Sequence, residues 1–99
     1  EIVCVGNATG SVKNFLTART VNGSRTEPQN SLSEHIYGKW IHHKYIYENG
    51  AFSVELKDGD TLIGSATVTV NITPVKLGIV EAYAVGNGAH IKNIKIKQL

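Results

Sequence analysis

The chain has 99 residues, a formal net charge of +2 and 18% charged residues. That is one domain's length, enough for a single two-layer core. So weak a charge provides no field for nucleic acid or an anionic membrane, and no apolar run approaches the ~20 residues of a membrane span, so neither nucleic-acid binding nor membrane insertion is expected.

The sequence opens at Glu1 into the apolar run Ile2-Val3-Cys4-Val5 and holds no methionine, which suggests one domain over residues 1–99, excised from a longer protein or processed. Residues 2–5 are apolar on both faces, as in a strand covered on both sides. Cys4 is the one cysteine and can form no internal disulfide; among apolar neighbours it is expected as a buried, unreactive thiol. The turn cluster Gly6–Ser11 follows. Val12 to Val21 predicts a second strand, with Phe15, Thr17, Arg19 and Val21 on one face and Val12, Asn14, Leu16 and Ala18 on the other. Asn22-Gly23-Ser24 ends it.

From Arg25 to Lys39 the pattern stops. The stretch is polar, with Leu32, Ile36 and Tyr37 as its sizeable apolar residues, and reads as a long connection with room for a short strand around His35–Tyr37. A meander then runs from Gly38 to Gly64. Two β-branched and aromatic runs are split by Asn49-Gly50, and Asp58-Gly59 turns the chain into a third; both dipeptides suit type I′ hairpin turns. In the first run Ile41, His43, Tyr45 and Tyr47 share one face, expected to pack in the core. Trp40, His42, Lys44 and Ile46 share the other, with Trp40 expected to be buried at the strand start. In the second, Phe52, Val54 and Leu56 oppose Ser53, Glu55 and Lys57, the alternation of a half-buried antiparallel strand. Ser65 to Thr73 alternates again, with Ala66, Val68, Val70 and Ile72 inward. Val75 to Val85 predicts a central strand, and Gly86-Asn87-Gly88 a turn. Ala89 to Leu99 predicts a last strand whose Lys92, Lys95 and Lys97 guard a sheet edge. Seven or eight strands at 8–12-residue spacing with no helix predict an all-β, antiparallel, jelly-roll-like sandwich.

Gly38-Lys39-Trp40-Ile41-His42-His43, a strand, Glu48-Asn49-Gly50 and Phe52 to Gly59 resemble the laminin-G-like branch of the concanavalin A-like lectin/glucanase superfamily. Its pattern is Gly-x-Trp-His, a strand, an Asn-Gly or Asp-Gly turn, and a strand ending in Asp-Gly. Gly88 to Lys97 is similar to the closing strand of such domains, so the resemblance spans roughly residues 38–99. Full members are larger, and Ile41 separates Trp40 from His42 where the family has Trp-His adjacent. Glucanase members carry Glu-x-Asp-x-x-Glu on one strand. Here Glu55-Leu56-Lys57-Asp58 puts a lysine in the middle acid's place and Asp58 in the turn. Retaining glycoside cleavage needs two carboxyls ~5 Å apart, so no enzyme is expected.

The resemblance implies a non-catalytic carbohydrate or glycoconjugate recognition module of an extracellular, cell-surface or viral/phage attachment protein. Its ligand would sit on rim loops, and the candidate binding residues are His35, Tyr37, Trp40, His42, Lys44, Asn87 and His90. The alternative is a structural or oligomerisation domain of a fibre or surface assembly; a homo-oligomer suits either. No metal is expected to be built in. Adjacent His42 and His43 point to opposite faces and cannot share a zinc ion. Calcium, which the resemblance allows at a sheet rim, would use Asp58, Asp60 and loop carbonyls. Asn7, Asn22 and Asn71 open Asn-x-Ser/Thr sequons, which Asn- and Thr-rich turns create by chance and which mean glycosylation only if a eukaryotic secretory pathway made the protein.

Overall fold

The computed structural model describes residues 2–6 (backbone), 13–36, 38–70 and 91–97. The strands are β1 (Ile2–Gly6), β2 (Asn14–Val21), β3 (Ser24–Thr26), β4 (Gln29–Ser31), β5 (His42–Glu48), β6 (Ala51–Asp58) and β7 (Thr61–Thr69). They form two sheets in which every pairing is antiparallel: β1, β3 and β4 on β2, and the three-stranded β5-β6-β7. All-β architecture, expected from the turn spacing, is what the described residues adopt. The expected strand over 75–85, the ends of the neighbouring expected strands at 12 and 71–73, the turn residues 7–11 and 86–88, and the side chain of Cys4 lie outside the described residues.

The polar stretch from Arg25 is a connection only in its second half. Asn22 and Gly23, at φ 48° and 78°, make a two-residue type I′ turn between Val21 and Ser24. The returning arm keeps one register: Arg19 faces Thr26, Leu16 faces Gln29, and the Leu32 N–H donates to the Lys13 carbonyl at 2.9 Å. Pro28 divides that arm into β3 and β4. It has no N–H to give, yet its carbonyl still accepts from the Thr17 N–H at 3.1 Å. An edge strand tolerates such a residue, so the first half of the expected connection is instead the return arm of a hairpin. The described residues from Leu32 to Lys39 do connect the sheets, and His35 and Ile36 form no strand, contrary to expectation. Asn30 fastens it from the side, donating to the Phe15 carbonyl at 3.3 Å and the Thr17 hydroxyl at 3.1 Å.

The second sheet is the expected meander, with one turn built differently. Asn49 and Gly50, at φ 50° and 74°, form the type I′ turn between β5 and β6. At the next turn Asp58 pairs with Thr61, so the central residues are Gly59 and Asp60. Positive φ falls on Gly59, the pattern of type II′ rather than the expected type I′. The register then steps: Lys57 faces Leu62 but Leu56 faces Gly64, leaving Ile63 as the extra residue of a β-bulge. Under plain alternation Ile63 would join Ser65 and Thr67 on the outer face. The bulge turns it into the core and leaves Leu62 exposed.

The core is Phe15 and Leu32 from the hairpin against Val54, Leu56 and Ile63 from the meander, with Ile36, Ile41 and Ala66 at its margin. Closest approach occurs at Gly64, where a Cβ would stand 2.7 Å from Leu32 Cδ2 and 2.9 Å from Phe15 Cε1. One backbone bond joins the two halves there, from the Ser33 N–H to the Ile63 carbonyl at 2.9 Å. Residues 91–97 form no strand, contrary to expectation, so Lys92, Lys95 and Lys97 guard no sheet edge; Ile91, Ile94 and Ile96 are exposed.

Candidate functional site

β5 lies at one edge of its sheet among the described strands, and both its faces carry chemistry. The chain reaches it through a turn in which the Lys39 N–H donates to the Ile36 carbonyl at 3.3 Å and Gly38 takes φ 71°. Trp40 follows this turn ahead of the first ladder pair, His42 with Lys57. It is therefore not clamped between strands, and it is 57% exposed rather than buried as expected. The Lys92 ammonium lies 4.0 Å from its ring centroid, a cation–π contact that brings residues 91–97 beside the start of β5. His42 and Lys44 alternate outward along the strand, opposite Lys57 and Glu55, and both are exposed. His35 is exposed in the approach segment. Tyr37, Asn87 and His90 lie outside the described residues.

The other face of β5 differs from its expectation too. His43, Tyr45 and Tyr47 pair with Leu56, Val54 and Phe52, on the side of the sheet that meets the core. Phe15 and Leu32 cover only the Val54–Leu56–Ile63 half. Towards the β5 edge Tyr45 remains 45% exposed. Its ring stacks on Phe52 with centroids 5.9 Å apart and planes 16° from parallel, and His43 meets it edge-on at 5.8 Å and 67°. His43 Nδ1 and the Tyr45 hydroxyl share a 2.7 Å hydrogen bond. His43 is exposed as a residue, but its ring lies against Tyr45. Lost hydration, and then the neighbouring His42, lower its pKa from the usual 6.5. Burial likewise raises that of Tyr45. Both shifts favour the uncharged forms near neutrality.

At the end of β6, Lys39 Nζ lies 3.5 Å from Asp58 Oδ2 and 3.6 Å from Glu34 Oε1. A hydrogen bond with Glu34, and then the Lys39 charge, hold the Asp58 carboxyl below its usual range. The carboxylate that a calcium ion would need is thus already engaged by an ammonium. Among the described residues no three His, Cys, Asp or Glu side chains are grouped to hold a metal, and no helix is long and apolar enough to cross a membrane.

No protein family, curated protein or solved structure matches the chain. The site must therefore be read from its own chemistry. Chain alternation made His42 and Lys44 recognisable as one side of a strand, whereas Trp40, expected with them, lies before β5 begins. Alternation places His43, Tyr45 and Phe52 on a core face, because it does not tell how far the opposing sheet extends. The available signal was His-x-Tyr on a strand next to a turn, two polar rings on a nominally apolar face.

Proposed function

We propose that the chain is a non-catalytic recognition module for a carbohydrate or glycoconjugate, a jelly-roll-like sandwich akin to the laminin-G-like domains. It would serve an extracellular, cell-surface or viral/phage attachment protein. The observation that carries this reading is the exposed indole of Trp40 just ahead of β5, with exposed His42 and Lys44 following on one side of that strand. An indole stacks on the apolar face of a sugar ring, while imidazole and ammonium groups bond to its hydroxyls. The non-catalytic part is supported at Glu55, whose cross-strand neighbours are Lys44 and Ser65 rather than a second carboxyl. Trp40 is the chain's one tryptophan, so its fluorescence reports on this site directly. Titration with a broad saccharide panel should shift its emission and be abolished in Trp40→Ala. A flat response across the panel, together with an empty glycan array, would overturn the reading.

One observation favours the alternative of an assembly domain. Ile94 and Ile96 are 61% and 78% exposed between lysines, an apolar stripe of the kind that a neighbouring subunit covers. Sedimentation at micromolar concentration separates the two: a stable oligomer that dissociates in Ile94→Asp/Ile96→Asp supports assembly, and a monomer removes it.

A further inference from the structure

We propose that His43, Tyr45 and Phe52 form a second saccharide site, on the face of β5 opposite Trp40, and that its ligand class is a neutral pyranose. This rests on the carbohydrate reading above and goes beyond it in place and in specificity.

Three features support it. The first is a rigid platform. Tyr45 is stacked nearly parallel on Phe52 at 5.9 Å, so one face is anchored while the residue keeps 45% of its surface open. A tyrosine held in this way loses little side-chain freedom when a sugar's C–H face settles on it. The second is a polar margin. The His43–Tyr45 hydrogen bond of 2.7 Å fixes the imidazole at the ring's edge and leaves Nε2 as a further hydrogen-bonding atom. Hydroxyl groups at the rim of a stacked pyranose need such a partner.

The third feature is the absence of formal charge among the described residues of this face. On this face β5 presents His43, Tyr45 and Tyr47, and β6 presents Phe52, Val54 and Leu56. The histidine and tyrosine are both biased towards their neutral forms. An acidic sugar would give up hydration here without meeting a cation, whereas a neutral one exchanges hydroxyl–water bonds for hydroxyl–imidazole bonds. The Trp40 side is the opposite case, with Lys44 on its strand and Lys92 over its ring.

The test uses the full 99-residue chain with methyl pyranosides of glucose, galactose, mannose and N-acetylglucosamine, and methyl glucuronide as the acidic comparator. Saturation-transfer NMR and calorimetry read binding, and Trp40 fluorescence reads the other face. At least one neutral pyranoside should bind with Trp40→Ala left intact and weaken about tenfold or more in Tyr45→Ala, with glucuronide at least tenfold weaker. Tyr45→Phe keeps the ring and removes the hydroxyl, so it should lose less; it also serves if the alanine variant does not fold. Neutral-sugar binding that survives both Tyr45 variants and disappears in Trp40→Ala overturns the second site and leaves the general reading standing. Glucuronide binding as tight as the neutral sugars overturns the ligand class. No binding of any saccharide at either face overturns both.

Discussion

Gly64→Ala tests the account of how the two halves meet. Gly64 does not have positive φ, so alanine is not excluded by backbone conformation. Relative to glycine in a strand, alanine should even gain about 0.5–1 kcal/mol from the reduced freedom of the unfolded chain. The added methyl, however, would stand 2.7 Å from Leu32 Cδ2, 2.9 Å from Phe15 Cε1 and 3.3 Å from the Ser31 carbonyl oxygen. Two of those atoms belong to buried side chains at the centre of the core, which cannot swing into solvent, and the third is backbone. Overpacking of this kind costs about 1–3 kcal/mol. Overpacking therefore wins, for a net loss of about 1–2 kcal/mol and a fall in Tm of roughly 5–15 °C in a domain of this size.

The decisive comparison is a double-mutant cycle with Leu32→Ala. Alone, that truncation should cost about 2–5 kcal/mol through the cavity it leaves. Combined, the Gly64 methyl occupies part of that cavity, so the double variant should be more stable than the sum of the single changes by about 1 kcal/mol or more. Chemical denaturation of the four proteins measures this. A Gly64→Ala protein as stable as the wild type, or strict additivity with Leu32→Ala, would refute the close approach of the sheets.

The bulge makes a paired prediction: Ile63→Ala should cost about 2–5 kcal/mol, whereas Leu62→Ala should stay within about 0.5 kcal/mol, and equal losses in urea melts would contradict the bulge. His43 makes one about pH. Its folded pKa lies below the usual 6.5, held there by lost hydration against Tyr45 and by His42, with uncharged Leu56 opposite on β6. Its contribution is whole above 6.5 and is lost as pH falls from there through the folded value, because the unfolded chain takes up the proton first. Tm should therefore fall less between pH 7.5 and 5.5 in His43→Gln than in the wild type, and equal slopes would count against the shift. Lys39→Ala removes the cation beside Asp58, so the Asp58 carboxyl should titrate at higher pH by carbon-detected NMR; an unmoved midpoint would mean the ion pair does not form in solution.

The meander was legible because its turns state their own geometry: Asn-Gly demands positive φ twice, and Phe52, Val54 and Leu56 mark one face without ambiguity. The returning arm of the first hairpin was not. Gln29, Asn30 and Ser31 carry no apolar alternation, and Pro28 reads as a strand breaker. Their extended form comes from β2, which supplies bonding partners on both sides of the proline, and a single-sequence pattern does not contain its partner. Residues 91–97 show the converse. Ile94-Lys95-Ile96-Lys97 alternates as a strand should, yet alternation gives only the capacity to pair. Trp40 departs from its expected burial for a local reason: it sits between the Gly38 turn and the first rung of the ladder, where none of the described strands covers it.

These positions divide the labour within the second sheet. β6 is paired on both sides and places Val54 and Leu56 at the centre of the core. β7 brings Ile63 and Gly64 against the hairpin and accepts the Ser33 N–H. β5 contributes neither a fully buried side chain nor a contact with the first sheet of that closeness. Among the described residues it is held by one ladder, to β6, with Ile41 just before it at the core's margin. Rings held open to solvent on both sides of such a strand are not needed to close the core. Their exposure is what the proposed recognition role requires of them. Substitutions at Trp40, His42 and Tyr45 should therefore separate binding from folding, while the same changes on β6 and β7 cannot.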